Sequence, residues 1–162
     1  MRSLASVLSL SAILLIPAIA QAQQVTFGGM RADTKAPVEV TADQLNVNQQ
    51  SGKAVFSGNV LVGQGTMRLK AAQVEVQYAQ NDRTKISQLV ATGGVTLASE
   101  TEAAEAQQAV YDVPAGTLVL SGNVLLTQGD NVMSGNRLNV DLRTGTGQMD
   151  GRVRTILKPG TK

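Results

Sequence analysis

The side chains in this chain that could do chemistry are few, and nearly all are carboxylates or cations. The 162 residues contain no His, no Cys and no Trp, against 12 Asp plus Glu and 14 Lys plus Arg. That composition excludes Ser-His-Asp and Cys-His nucleophiles, imidazole proton shuttles, His/Cys metal sites and a disulfide framework. Paired carboxylates are what is left. Glu100, Glu102 and Glu105 cluster in one stretch, and Asp130, Asp141 and Asp150 in a later one. Hydrolysis of a glycoside needs two inward carboxyls at a set separation. Here the surrounding alternation puts most of the six on an outward phase or in turns, as a solvated face. The Gly63-Gln64-Gly65-Thr66 stretch reads as a turn, because no lysine and helix follow it as a phosphate loop requires. Arg68, Lys70, Arg152, Arg154 and Lys158 fit either of two roles: meeting lipid phosphates at the rim of a groove, or keeping strands from aggregating. The second is the preferred reading. No catalytic residue, metal or cofactor is expected, and the chain does not read as an enzyme.

The elements that would position these groups are announced by a repeated phrase. VFSGNVLVGQG, Val55 to Gly65, returns as VLSGNVLLTQG, Val119 to Gly129. The glycine in it recurs as Gly58, Gly93, Gly122 and Gly151, at spacings of 35, 29 and 29. A small residue keeps step with it at Ala42, Ala71, Ala106 and Gly135, lying 16 residues before the glycine in three copies and 22 in the other. The longer copy holds the extra Ala79 to Thr84, which reads as a lengthened turn. Four units of about 29 residues imply a repeat architecture in which each unit buries its apolar face against its neighbours.

Each unit reads as strands. Phe56, Val60 and Val62 share one phase, with Ser57 and Asn59 on the other; Met67, Leu69 and Ala71 alternate with Arg68 and Lys70. The phase slips after each small residue, from Ala42 to Leu45 and Val47, and from Ala71 to Val74 and Val76. A slip in a period of two means a bulge or a corner, and a small residue there lets the backbone turn tightly. The stretch from Ala98 to Val110 has helix-forming composition, but its register with the other copies favours a strand. The fold class is therefore all-β: two sheets facing each other, or one sheet rolled up. Its inner layer, from Val38 and Leu45 through Val47 and Leu120 to Val153, is medium aliphatics and Met, with two Phe and two Tyr in the whole chain. Such a layer is either an ordinary dry core or an adaptable lining for an aliphatic ligand.

At the N-terminus, Arg2 precedes an apolar run from Leu4 to Ala20, interrupted by Pro17 and followed by Ala-x-Ala sites. This pattern is that of a cleaved secretory signal peptide. Residues 1–22 are assigned to it and residues 23–162 to a single exported domain, with cleavage before Gln21 or Gln23. Loss of Arg2 leaves a net charge near +1, which gives no sign of nucleic-acid binding.

The Pro37 to Asp43 opening (PVEVTAD), the Phe56 to Thr66 phrase and the GRVRTILKP ending, Gly151 to Pro159, resemble the OstA-like (LptA) family of periplasmic lipopolysaccharide-transport proteins. The resemblance covers about Asp33 to Pro159. It implies a twisted, V-shaped β-jellyroll of antiparallel strands whose apolar interior carries the acyl chains of lipopolysaccharide across the periplasm. It also implies head-to-tail joining through edge strands, to further copies and to LptC-like and LptD-like OstA domains at the inner and outer membranes. The family's groove positions fall here on Val38 and Val40; Phe56, Val60, Leu69 and Leu120 are assigned to the groove by alternation. The edges expected to pair are Val38, Glu39, Val40 and Thr41 within Pro37 to Ala42, and Val153, Arg154, Thr155 and Ile156 within Arg152 to Lys158. Two other classes of function remain open: a structural or adhesive β-repeat protein without lipid cargo, and a carboxylate-based secreted enzyme.

Overall fold

The computed structural model of the chain describes residues 25–26 and 30–158. The expected signal peptide lies outside the described residues. Strict alternation of apolar and polar side chains makes strands, and the described residues form eleven of them and no helix. They are β1 (Val25–Thr26), β2 (Glu39–Thr41), β3 (Gln44–Asn48), β4 (Lys53–Gln64), β5 (Met67–Ala79) and β6 (Asp82–Ala98). Then come β7 (Glu102–Asp112), β8 (Thr117–Gln128), β9 (Asn131–Asp141), β10 (Thr146–Asp150) and β11 (Arg154–Ile156). All join one antiparallel sheet in the order β1-β10-β9-β8-β7-β6-β5-β4-β2, with β3 also on β4 and β11 also on β9. The strand expected over the helix-prone stretch is β7.

Each long strand is bent once near its middle, and the bends line up across the sheet. The register breaks between Ser57 and Val60 in β4, Lys70 and Gln73 in β5, and Thr92 and Val95 in β6. It breaks again between Glu105 and Gln108 in β7 and between Ser121 and Val124 in β8. At the two edges the bend becomes a full interruption, Ala42-Asp43 between β2 and β3 and Gly151-Arg152-Val153 between β10 and β11. The result is a crease that divides the sheet into two leaves. One leaf holds β3, residues 53–57, 73–79, 82–92, 108–112, 117–121 and 137–141, and β10; the other holds β2, residues 60–64, 67–71, 95–98, 102–106, 124–128 and 131–135, and β11. The leaves face each other: Tyr111 Oη of one donates to Gln64 Oε1 of the other at 2.9 Å, although β5 and β6 separate their strands in the sheet.

The small residues found by spacing make the crease possible. Gly58, Gly93, Gly122 and Gly151 all have positive φ, between 78° and 84°. A Cβ on Gly93 would lie 2.6 Å from the Ala72 Cβ, and one on Gly58, Gly122 or Gly151 would strike Asp43, Gln107 or Asn136. Each glycine thus packs on the residue just after the small residue of its neighbouring strand. Two requirements coincide at these positions, a left-handed backbone and no room for a side chain.

Three expectations change. Leu45, Val47 and Val153, assigned to the inner layer, are 55%, 57% and 50% exposed, because they lie on edge segments that nothing covers. The edge strands are shorter than expected, so Val38 and Val153 fall just outside β2 and β11. The extra Ala79 to Thr84 is not a long loop: β5 runs through Ala79, β6 starts at Asp82, and irregular pairing at Tyr78 absorbs the added length.

The crease gives a direct test of this packing. Gly94 shares the +84° φ of Gly93, but its Cβ would meet open space. Gly94→Ala is expected to cost only the left-handed backbone, about 1 to 2 kcal/mol. Gly93→Ala adds a clash with the rigid Ala72 Cβ, about 1 to 3 kcal/mol more. Urea unfolding of the two variants beside the parent measures the difference.

Candidate functional site

The interior between the leaves is the only large apolar surface that the fold organises among the described residues. From one leaf come Val74, Val76, Leu89, Leu118, Leu120 and Leu138; from the other, Val60, Val62, Met67, Leu69, Val95, Leu97, Val124 and Leu126. Each is buried, Leu120 and Leu138 completely. Alternation brings them there, two residues apart on either side of each bend. In the middle the leaves are in contact. A cavity of about 20 Å³ lies there between Val62, Leu69, Leu89, Ala109, Tyr111 and Leu118. It is about the size of one water, and the surface it presents is apolar.

Toward the sheet edges the same inward phase runs out into solvent. At the N-terminal edge Leu45 stands opposite Phe56 and Val47 opposite buried Ala54, so both point to the inner side while half exposed. Val38, Val40 and Phe56 are partly buried against the core beside them. At the other edge Thr155 lies opposite buried Met133. Val153 and Leu157, two residues to either side of it, are 50% and 68% exposed. Of the groove residues chosen from sequence, Val60, Leu69 and Leu120 are thus deep in the closed middle, while Val38, Val40 and Phe56 line the mouth at the N-terminal edge.

A polar latch crosses this apolar space. Gln64 is 2% exposed. Its Oε1 accepts from Tyr111 Oη, and its Nε2 donates to the carbonyls of Ala36 at 3.0 Å and Thr34 at 3.3 Å. The Ala32 N–H donates to the Leu142 carbonyl, and Met30 is buried against Met67 and Leu97. Residues 30–36 therefore run across the side of the V opposite the crease and tie both leaves together. Burial pushes the Tyr111 hydroxyl above its ordinary pKa, the nearby Asp112 adds to the rise, and the bond to Gln64 opposes it.

One carboxylate departs from the expected outward phase. Glu102 is 4% exposed, on the same phase as buried Ala104, and it accepts from Gln128 Nε2 at 2.6 Å. The same alternation rule identifies Glu102 and Gln64 as inward, since each lies two residues from a buried apolar neighbour; their polarity hid them. Met30, Ala32 and Leu142 carry no such signal, because they lie outside the strands. Glu100, Glu105 and Asp130 are exposed as expected. No group of three or more His, Cys, Asp or Glu that could hold a metal ion occurs among the described residues.

Residues 39–146 match the family described as LptA/(LptD N-terminal domain) LPS transport protein. An uncharacterized protein of Rhizobium meliloti is 32% identical over 155 residues, covering 90% of this chain and 83% of the relative. The lipopolysaccharide export system protein LptA of Escherichia coli K12 is 26% identical over 138 residues, covering 78% of this chain and 74% of LptA. Among solved structures, LptH, the LptA homologous periplasmic component of the lipopolysaccharide transport device of Pseudomonas aeruginosa, superposes with a TM-score of 0.70. That similarity covers 79% of this chain and 99% of LptH at 19% identity, so it speaks to the fold.

The latch predicts a specific pH response. Tyr111→Phe leaves Gln64 Oε1 without its donor inside the protein, a loss of about 1 to 3 kcal/mol at neutral pH. In the parent, a tyrosine whose folded pKa is raised contributes stability that is complete below its unfolded pKa of about 10 and is lost as pH rises toward the folded value. Denaturation between pH 8 and 11 is expected to show a steeper alkaline decline in the parent than in Tyr111→Phe.

Proposed function

For a chain that belongs to the LptA/LptD N-terminal domain family of lipopolysaccharide transport proteins, we propose that it carries lipopolysaccharide through the periplasm with the acyl chains held between the two leaves. The observation that carries this reading is an inward apolar layer that continues to the N-terminal edge and is uncovered there at Leu45 and Val47, with apolar Val153 and Leu157 exposed on either side of β11 at the other edge. A protein built only around a dry core would cover these side chains or replace them with charge. Joined end to end, such edges extend one apolar trough from copy to copy, and equally to LptC-like and LptD-like domains at the two membranes. A lipid moved along that trough keeps each methylene out of water, worth about 0.8 kcal/mol per CH₂. Acyl chains enter at the mouths, and the leaves part to admit them further. Transport of this kind breaks no covalent bond and asks nothing of a catalytic group.

The closed middle also suits a structural β-repeat protein without cargo, so the test has to separate the two. A photo-crosslinking side chain at Val38, Val40 or Leu45, on the inward phase of the mouth, is expected to capture lipopolysaccharide in envelopes. Asn59 and Arg68, on the outward phase, are expected not to. Capture at Val60 and Leu120 as well would report parting of the leaves. Equal capture from both phases, or none from the mouth, would count against the cargo reading.

A further inference from the structure

We infer that two copies of this chain join in one defined register, with Asp43 of one copy facing the Gly151-Arg152 corner of the next. This rests on the head-to-tail reading above and adds what selects the partner edge. Along the crease, corners of two kinds alternate. A glycine corner occurs at Gly58-Asn59, Gly93-Gly94, Gly122-Asn123 and Gly151-Arg152, and a second kind at Ala42-Asp43, Ala71-Ala72, Ala106-Gln107 and Gly135-Asn136. Inside the sheet every glycine corner has a corner of the second kind on both sides. The registers Ser57↔Gln73 and Val60↔Ala71 leave Gly58 and Asn59 facing Ala72 alone. Thr92↔Gln108 with Val95↔Ala106, and Ser121↔Arg137 with Val124↔Gly135, repeat the same offset.

The two edges are where this alternation stops. Gly151-Arg152 has Asn136 on one side, where Asn136 N–H donates to the Gly151 carbonyl, and no strand on the other among the described residues. Asp43 has Gly58 on one side, where its N–H donates to the Gly58 carbonyl, and again no strand on the other. Each edge is missing the corner that the other presents. The directions also agree: β2 to β3 and β10 to β11 run between the leaves in opposite senses, as an antiparallel pair requires. Carrying the internal offset across the joint pairs Asp150 with Gln44 and Val153 with Ala42. Met149 then faces Leu45, Gly147 faces Val47 and Thr155 faces Val40, so the exposed inward side chains of both edges become covered.

Charge selects the same register. Asp43 meets Arg152, and Glu39 lies diagonal to Arg154 on the outward face. Arg152 holds a left-handed φ of 50°, like Asn59 and Asn123 at the equivalent corners. That conformation is uncommon for a long side chain, and it is where the pairing needs a cation. The chain's own N-terminus competes for this edge. β1 sits on β10 with Val25↔Gly147 and Thr26↔Thr146, on the two rungs that Val47 and Asn48 of an incoming copy would take. Joining therefore displaces β1.

The chain has no Cys, so an engineered pair reads the register cleanly. Mature chain carrying Gln148→Cys is mixed with chain carrying Asn46→Cys, Gln44→Cys or Asn48→Cys and oxidised. The inferred register predicts a mixed disulfide with Asn46→Cys, whereas the other two positions are displaced by two residues, beyond disulfide reach. Arg152→Asp or Asp43→Arg alone is expected to weaken association about tenfold at low salt, as lost charge complementarity does, and the double variant to restore it. A chain beginning at residue 30, which lacks β1, is expected to cross-link more readily. Light scattering on the same samples separates the outcomes. Association with cross-linking at Gln44 or Asn48, or at all three positions alike, overturns this register and leaves head-to-tail assembly standing. A double variant as weak as the single ones does the same. No association at any concentration overturns both.

Discussion

The structure depends on one steric constraint, the bend that every long strand makes at the crease. A sheet of this width folds back on itself only if all its strands turn at the same level. Each turn brings a glycine against a neighbouring strand with no space for a methyl group, as at Gly93 and Ala72. Once the bends are aligned, the rest follows. The period-two alternation changes phase across each bend, so the apolar residues on both sides point into the same interior. Val60 and Val74 are on different leaves yet both are buried. The two leaves need no helix to cover them, because each covers the other.

A folded sheet of this kind closes along the crease and stays open at its two edges. That asymmetry separates the fold from a closed barrel, in which every strand has two neighbours. Along the side opposite the crease, residues 30–36 close the gap, held by Gln64 and by the Ala32–Leu142 bond. The free passages are therefore the ends, where Leu45, Val47, Val153 and Leu157 stand exposed. In the middle the leaves touch, so under the proposed reading an acyl chain that travels the whole length has to part them. Separating packed apolar surfaces costs about 25 cal/mol per Å², and acyl chains return a similar amount for each Å² they cover. On that reading the exchange is close to balanced.

Much of this was legible in the sequence, and the reason is periodicity. The recurring glycines mark the crease, the small residues 16 or 22 positions before them mark its other corners, and the alternation between marks the inner layer. What the pattern could not convey is position within the sheet. Leu45 and Val47 obey the same rule as Val74 and Val76, but β3 lies at an edge and β5 in the interior, so the same phase gives exposed side chains in one and buried ones in the other. Polar identity hid Gln64 and Glu102 in the inward phase. Residues 30–36 and Leu142 carried no signal at all, because Met30, Ala32 and Leu142 are buried by long-range contact and not by strand alternation. Val38, Val40 and Phe56, named from the sequence, lie partly buried against the core beside the N-terminal edge, and the exposure of Leu45 and Val47 next to them came from the fold.

Native mass spectrometry of the delipidated chain from residue 23 onward, titrated with intact lipopolysaccharide, lipid A and the fully deacylated saccharide, tests the central claim most directly. An interior that takes acyl chains predicts bound masses for lipopolysaccharide and lipid A and none for the deacylated sugar. Binding of the sugar as strongly as of lipid A, or of neither lipid, would contradict it.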